Sequence, residues 1–475
     1  MYLSNVKSHH LQVLSLAQTS LPLTFFDLPE LGLDCPVHCV YLYQLQCSKT
    51  HFTDSILPDM KHSLSLTLQH FFSLVGNLTW SPQSAVPEIV YVDGDSISFR
   101  VAESSFNFNH LCGNHPRDAN DFASLTSHLV PRYSSTTAEV QYPLLALQVT
   151  LFPNSGICVG VTMSHIPADG MSSTHFMKFW ASVCSNLGQK TTTLLPDFLP
   201  SFDRTTIIDP QGIETAYLNY LKTINITQQS FTLPSTPTGP VHDKVVATFI
   251  MDFNNIVKLK KWVLRRTIEQ NKKEPYFNLT SLIVTSAYVW VCLIKAMESV
   301  NVLDSSREHI VIPVDCRTRL DPALPVTYFG NCIVNSCATI DKNDLVGEDG
   351  IVIAAEMIGK AIQTTCKNVL DGAENLFANI FSVESERVFE INGSPKMGAY
   401  DVNFGWGRPK KYEVIYIDDD CGYITLSDCG DSTDRSLEVS VTLKRLEMDA
   451  FASIFHDTLN NLLNASSAMS LLSKY

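Results

Sequence analysis

The residues whose types and spacing offer chemistry lie in Ser164-His165-Ile166-Pro167-Ala168-Asp169-Gly170. A histidine exchanges a proton near neutral pH, so His165 suits general-base work on a hydroxyl. Asp169 follows four residues later, and of the 14 histidines only His165 has an aspartate at that spacing. A metal reading is weak: ligands at i and i+4 need one helical face, and Pro167 breaks it. Two plainer readings stand beside the catalytic one. Asp169 suits the N-cap of a following helix, as Ser172 or Ser173 does, and a lone histidine at a strand end is commonly structural. No Gly-x-Ser-x-Gly elbow occurs in the chain, which disfavours a serine hydrolase.

The flanking residues set where His165 sits. Ile157 to Met163 is short and apolar and predicts a buried strand. Phe176, Phe179, Trp180 and Val183 recur at helical spacing and predict a helix. His165 then lies where a strand ends and a loop opens toward a helix, the position at which α/β architectures place reactive groups. Residues 144–152, before the turn Pro153-Asn154-Ser155-Gly156, predict a hairpin partner for that strand. Residues 88–92 and 96–102, joined by Asp93-Gly94-Asp95, read as another hairpin. Residues 55–75 read as one helix stopping at Gly76-Asn77. Residues 1–20 show no clear period, although Ser20 to Leu28 is apolar and aromatic.

Prolines 196, 200 and 210 mark residues 187–211 as an interdomain crossover, and Pro234 to Pro240 as a surface loop. Beyond them the pattern predicts strands at 245–253, 309–314, 412–417, 423–426 and 437–443. It predicts helices at 212–224, from 256 onward, and at 281–299, 352–368 and 448–463. Period-2 alternation puts Asp315, Arg317 and Arg319 on one strand face. Two cations there call for a buried partner, and Asp169 is a candidate. Gly405 and Gly407 flank Trp406, which suggests a backbone bent around a packed ring.

At 475 residues the chain is expected to form two domains, 1–186 and 212–475, around the crossover. Its content is 45% hydrophobic and 17% charged, that of an ordinary globular protein. A net charge of −14 without a basic run argues against nucleic acid and anionic membranes as partners. Thirteen cysteines with no CxxC pair read as reduced, intracellular thiols. The start lacks a basic region ahead of an apolar core, and no uninterrupted apolar stretch approaches 18 residues. A cytoplasmic monomer is the expectation.

Together the motifs resemble one family from about Ser20 to about Leu459. His165-xxx-Asp169-Gly170, Asp315-Cys316-Arg317, Tyr328-Phe329-Gly330-Asn331-Cys332 and Asn403-Phe404-Gly405-Trp406-Gly407 are similar, in order and approximate spacing, to those of plant BAHD acyl-CoA-dependent acyltransferases. The YFGNC segment resembles the branch acting on anthocyanins, flavonoids and other phenolic glucosides. The resemblance implies an α/β fold of two chloramphenicol-acetyltransferase-like domains with a solvent channel between them. His165 would lie at mid-channel, with acyl-CoA entering from one side and a phenolic glycoside acceptor from the other. It implies His165 and Asp169 as the catalytic pair: His165 as general base, Asp169 turned away and paired with Arg317, with Gly170 supporting the loop. The FGWG loop would be structural and on the CoA side. No cofactor or metal is implied beyond acyl-CoA as co-substrate.

Three departures from the family pattern bear on function. Asn403 stands where the motif has aspartate, which implies some loss of stability, with Asp401 as a compensating carboxylate. Residues 1–15 match poorly, so an edge strand is expected to be absent or remade. Many malonyl-specific members carry Lys or Arg where this chain has Met171, so the donor stays open between malonyl and hydroxycinnamoyl. The alternative to a working enzyme is an impaired member that binds acyl-CoA or a phenolic ligand without transfer.

Overall fold

A computed structural model describes residues 3–13, 17–33, 36–81, 83–133, 140–187, 198–228, 230–231, 243–272, 274–275, 277–300, 305–382, 387–416, 423–430 and 435–472. Residues 188–197 of the expected crossover and the Pro234–Pro240 loop lie outside them. Among the described residues the strands form three sheets. The first runs β1 (Leu3–Gln12), β6 (Ser96–Ser104), β10 (Leu145–Phe152), β11 (Gly156–Met163), β3 (Val37–Gln44) and β16 (Lys411–Ile415). The second runs β14 (Ile333–Asp341), β13 (Arg307–Asp315), β15 (Val388–Asn392), β17 (Tyr423–Asp428), β18 (Leu437–Lys444), β12 (Lys244–Met251) and β7 (Arg117–Asp118). A smaller sheet holds β2 (Thr19–Pro22), β5 (Glu88–Tyr91), β4 (Asn77–Thr79), β9 (Val140–Pro143) and β8 (Arg132–Tyr133). Each half of the chain lends a strand to the other's sheet: β16 pairs with β3, and β7 with β12.

Every residue of β10 and β11 is buried, because helices and loops cover both faces of the sheet; hence their unbroken apolar runs. Their hairpin forms as expected, and its turn uses Asn154 at φ 59°, a left-handed conformation that asparagine tolerates. The second sheet packs on the helix Ser281–Ser299, which is buried along most of its length. By length and composition that helix could cross a membrane, but its apolar surface is used inside the protein.

Four expectations are corrected. Residues 88–92 and 96–102 form strands, but not a hairpin. The turn closes, with Asp95 N donating to Val92 O at 3.0 Å, after which β5 joins β2 and β4 while β6 joins β1 and β10. Local turn chemistry does not select among nonlocal strand partners. The helix over 55–75 ends at Leu68. Phe71 leaves the helical region at φ −118°, ψ 50°, its ring packed against Phe176, Phe179 and Phe329, and Gly76-Asn77 opens β4 instead. An edge strand is present in residues 1–15: β1 pairs with β6 across a bulge at Asn5. Finally, β13 ends at Asp315, so Arg317 and Arg319 lie in a turn and do not share a strand face. Arg317 is buried and Arg319 exposed.

Candidate active site

β11 ends at Met163, and Pro167, which has no N–H to offer, keeps the next residues from continuing as strand or helix. The loop turns on itself, Ala168 N donating to His165 O at 3.3 Å. The helix Gly170–Ser185 then begins with Asp169 as N-cap, its Oδ1 accepting from Ser172 N at 3.0 Å. The capping and the ion-pair readings of Asp169 are both correct. Arg317 grips the same carboxylate with both terminal nitrogens, Nη1 to Oδ2 at 2.8 Å and Nη2 to Oδ1 at 2.9 Å. Cys332 N also donates to Oδ2, at 3.1 Å. The Asp169 and Arg317 side chains keep only 1% and 3% of their surface. With both oxygens fully engaged, Asp169 holds the loop in place. Arg317's own value is pushed up: burial pulls it down, but Asp169 more than offsets that.

The YFGNC segment locks around this pair. Gly330 N and Arg317 Nη2 donate to Ser172 Oγ at 3.1 and 3.0 Å, and Ser172 Oγ donates to Gly330 O at 3.0 Å. The side-chain nitrogen of Asn331 lies 2.9 Å from His165 O, 3.0 Å from Ile166 O and 3.0 Å from Asp27 Oδ1. It therefore ties the backbone of the histidine loop to the segment after β2. Phe329 packs on Phe71, and Tyr328 and Cys332 are buried beside them. Asp27 also accepts from Thr24 N and pairs with Arg204 at 2.8 Å.

The ring of His165 keeps 23% of its side-chain surface, yet its Nδ1 is buried and has no hydrogen-bond partner. Glu30 Oε2 lies 3.6 Å from that nitrogen. Burial pulls the imidazole's proton affinity down, but Glu30, then Asp169 and Glu390, outweigh it and hold it above the ordinary 6.5. The ring is therefore neutral, and able to accept a proton, only on the alkaline side of that raised value.

The Asn403–Gly407 loop lies elsewhere. Gly405 and Gly407 take φ +96° and +92°, and the Asn403 side-chain oxygen accepts from both of their N–H groups at 2.9 Å. Trp406 stacks on Phe404, which meets Trp180 edge-on, and Tyr43 donates to Val402 O at 2.9 Å. Gly405 borders Ser185, the last residue of the helix that Asp169 begins. Sixteen residues at 1.5 Å each put it about 24 Å from Asp169 along the helix. Asp401 pairs with Arg408 at 2.6 Å and keeps a carboxylate in this loop.

Sequence reasoning placed His165, Asp169 and Arg317 together and missed Glu30, Asp27, Ser172 as a hub, and Arg204. One signal for the first two was present: Asp27 and Glu30 are lone acids, three residues apart, in an apolar aromatic stretch.

This geometry can be set beside known proteins. The model of the Transferase family matches residues 13–458. The chain belongs to the Transferase (BAHD) family. The acyltransferase class expected from the motifs follows from that membership. The chain is 37% identical over 462 residues to malonyl-coenzyme A:anthocyanin 3-O-glucoside-6''-O-malonyltransferase of Dahlia pinnata, covering 94% of this chain and 95% of that one. It is 34% identical to coumaroyl-CoA:anthocyanidin 3-O-glucoside-6''-O-coumaroyltransferase 2 of Arabidopsis thaliana, covering 93% of each. Among solved structures, vinorine synthase shares the BAHD fold, with a TM-score of 0.67 at 19% identity over 94% of this chain and 96% of that one.

Proposed function

We propose that the protein transfers a malonyl or hydroxycinnamoyl group from CoA to a sugar hydroxyl of a phenolic glycoside, with His165 as general base. The observation that carries this is the clamp on the histidine loop: Asp169–Arg317 on one side of it and Asn331 on the other. Such fixation suits a group whose nitrogen must meet a hydroxyl at hydrogen-bond distance.

The steps balance on one histidine. Neutral His165 takes the proton from the sugar O–H as that oxygen bonds to the thioester carbonyl carbon. The tetrahedral intermediate collapses with cleavage of C–S, and the departing thiolate recovers the proton from the imidazolium, leaving ester and free CoA. The 37% relative is named a malonyltransferase and the 34% relative a coumaroyltransferase, which supports both donors. Met171 at the head of the helix supplies no cation for a malonyl carboxylate. The impaired-member reading gains nothing from Asn403, whose side-chain oxygen keeps both turn contacts.

CoA release is the test, with malonyl-CoA and p-coumaroyl-CoA offered separately, with and without flavonoid glucosides, beside His165→Ala. Acceptor-dependent release with one donor is expected, lowered by about 10²–10⁴-fold in the variant. Undiminished turnover by folded His165→Ala would refute the general-base assignment.

A further inference from the structure

The clamp described above fixes the backbone of His165 and leaves the ring's buried nitrogen to something else. Asp169 has no capacity left to meet it, since Arg317, Ser172 N and Cys332 N occupy both of its oxygens. Glu30 does face it. This residue lies on the short helix Pro29–Leu33, between Leu28 and Leu31, both fully buried. Asp27, three residues before Glu30, anchors the start of the segment through Thr24, Arg204 and Asn331. Residues three apart in a helical turn share a side. Asp27 therefore grips the histidine loop while Glu30 meets the histidine ring.

We propose that Glu30 is the carboxylate partner of His165. It is a positioning residue that turns Nδ1 toward itself, leaves Nε2 for the acceptor hydroxyl, and steadies the imidazolium formed when the proton is taken. The proposal rests on the general-base reading. A separation of 3.6 Å is too long for a hydrogen bond. It is short enough for a charged ring to draw the carboxylate in, and apo catalytic contacts commonly tighten this way. The other charges acting on the ring are accounted for. Asp169 is neutralised by Arg317, which also takes Asp315 at 2.9 Å, and Glu390 acts from β15 through its field. Of these charges Glu30 does most to hold the imidazole's affinity up against burial.

The test compares wild type, Glu30→Gln, Glu30→Asp and His165→Ala. One readout is the pH dependence of kcat/KM. The other needs no acceptor: the rate at which diethyl pyrocarbonate modifies His165 in the resting enzyme, followed against pH by peptide mass spectrometry. Only a neutral imidazole reacts. For Glu30→Gln both midpoints should move to lower pH, and kcat should fall by about tenfold. That is well short of the ~10⁴ lost with a buried, fully bonded triad carboxylate, because Glu30 is more distant and 19% exposed. Glu30→Asp, which keeps the charge one methylene farther back, should fall between, and it decides the matter if Glu30→Gln does not fold. Midpoints unchanged in folded Glu30 variants, with His165→Ala inactive, would overturn the partnership and leave the general base standing. An active His165→Ala would overturn both.

Discussion

Two buried charge clusters join the halves of this chain, and they are finished differently. At the junction of the first and second sheets, Arg117 pairs with Glu413 at 2.6 Å and also donates to Leu111 O and His115 O. Glu413 accepts from Thr248 and Ser440 as well, at 3.0 and 2.6 Å. Lys411 bridges Glu438 and Asn114, and Tyr400 donates to Glu438 at 2.7 Å. No charged group in this cluster is left without a partner. At the site, Asp169 and Arg317 are just as fully bonded, but the groups around them are not. His165 Nδ1, the Asn331 side-chain oxygen and the Tyr328 hydroxyl are buried with no hydrogen-bond partner. Leaving such groups without a partner is destabilising. The sheet junction is closed by its own side chains, whereas the site leaves polar atoms without a protein partner beside His165.

That contrast can be broken by substitution. The largest effect is expected from Arg317→Met. It leaves the Asp169 carboxylate buried and unpaired and frees the YFGNC segment beside it. Turnover by the folded fraction should drop about 10²-fold, the scale of a misplaced catalytic group, and unfolding free energy by about 3–5 kcal/mol. Steady-state kinetics together with a urea titration would show both.

Glu413→Gln should reproduce the stability loss, about 3–5 kcal/mol, while kcat/KM of the folded protein stays close to wild type. If it abolishes activity in a folded chain, the two clusters are not separable. The junction should also set the acid limit of the fold. Glu413 is held below its ordinary 4.5: burial would raise it, but Arg117 and Lys411 outweigh that. A depressed carboxylate stabilises above its unfolded value, so this contribution is lost as pH falls below 4.5 toward the folded value. Glu413→Gln should correspondingly flatten the decline in melting temperature on the acid side.

The smallest effect belongs to the loop about 24 Å from Asp169 along the helix. Asn403→Ala removes an exposed acceptor of two backbone N–H groups and should cost about 1 kcal/mol. The pH profile of catalysis should not move. Asn403→Asp strengthens the same two contacts with charge and should raise stability by less than that. A shift of the His165 pH profile in either variant would show the loop to be coupled to the chemistry.

Local chemistry was readable where it was self-contained. The His165 loop followed from an apolar strand, a proline and a helix with aspartate at its N-cap. The Asp169–Arg317 pair followed from a simpler demand, that a buried cation find an anion. The route to Arg317 by strand alternation was wrong, because β13 stops at Asp315, although the partner was right. Glu30 was readable only as an oddity, a charge in an apolar stretch. What made it more is a ring 135 positions along the chain, and no periodicity relates the two.

The sequence by itself determined the alternation of strands and helices, the strand-end histidine, and the capped helix that starts four residues later. Each is written in neighbouring side chains and in the backbone limits of proline and glycine. Only the tertiary structure decided that β5 and β6 part into different sheets, that β7 and β16 cross to the opposite halves, and that Glu30 and Asn331 close on His165. Those outcomes depend on which distant surfaces bury best together, a competition among long-range contacts that short-range pattern does not contain.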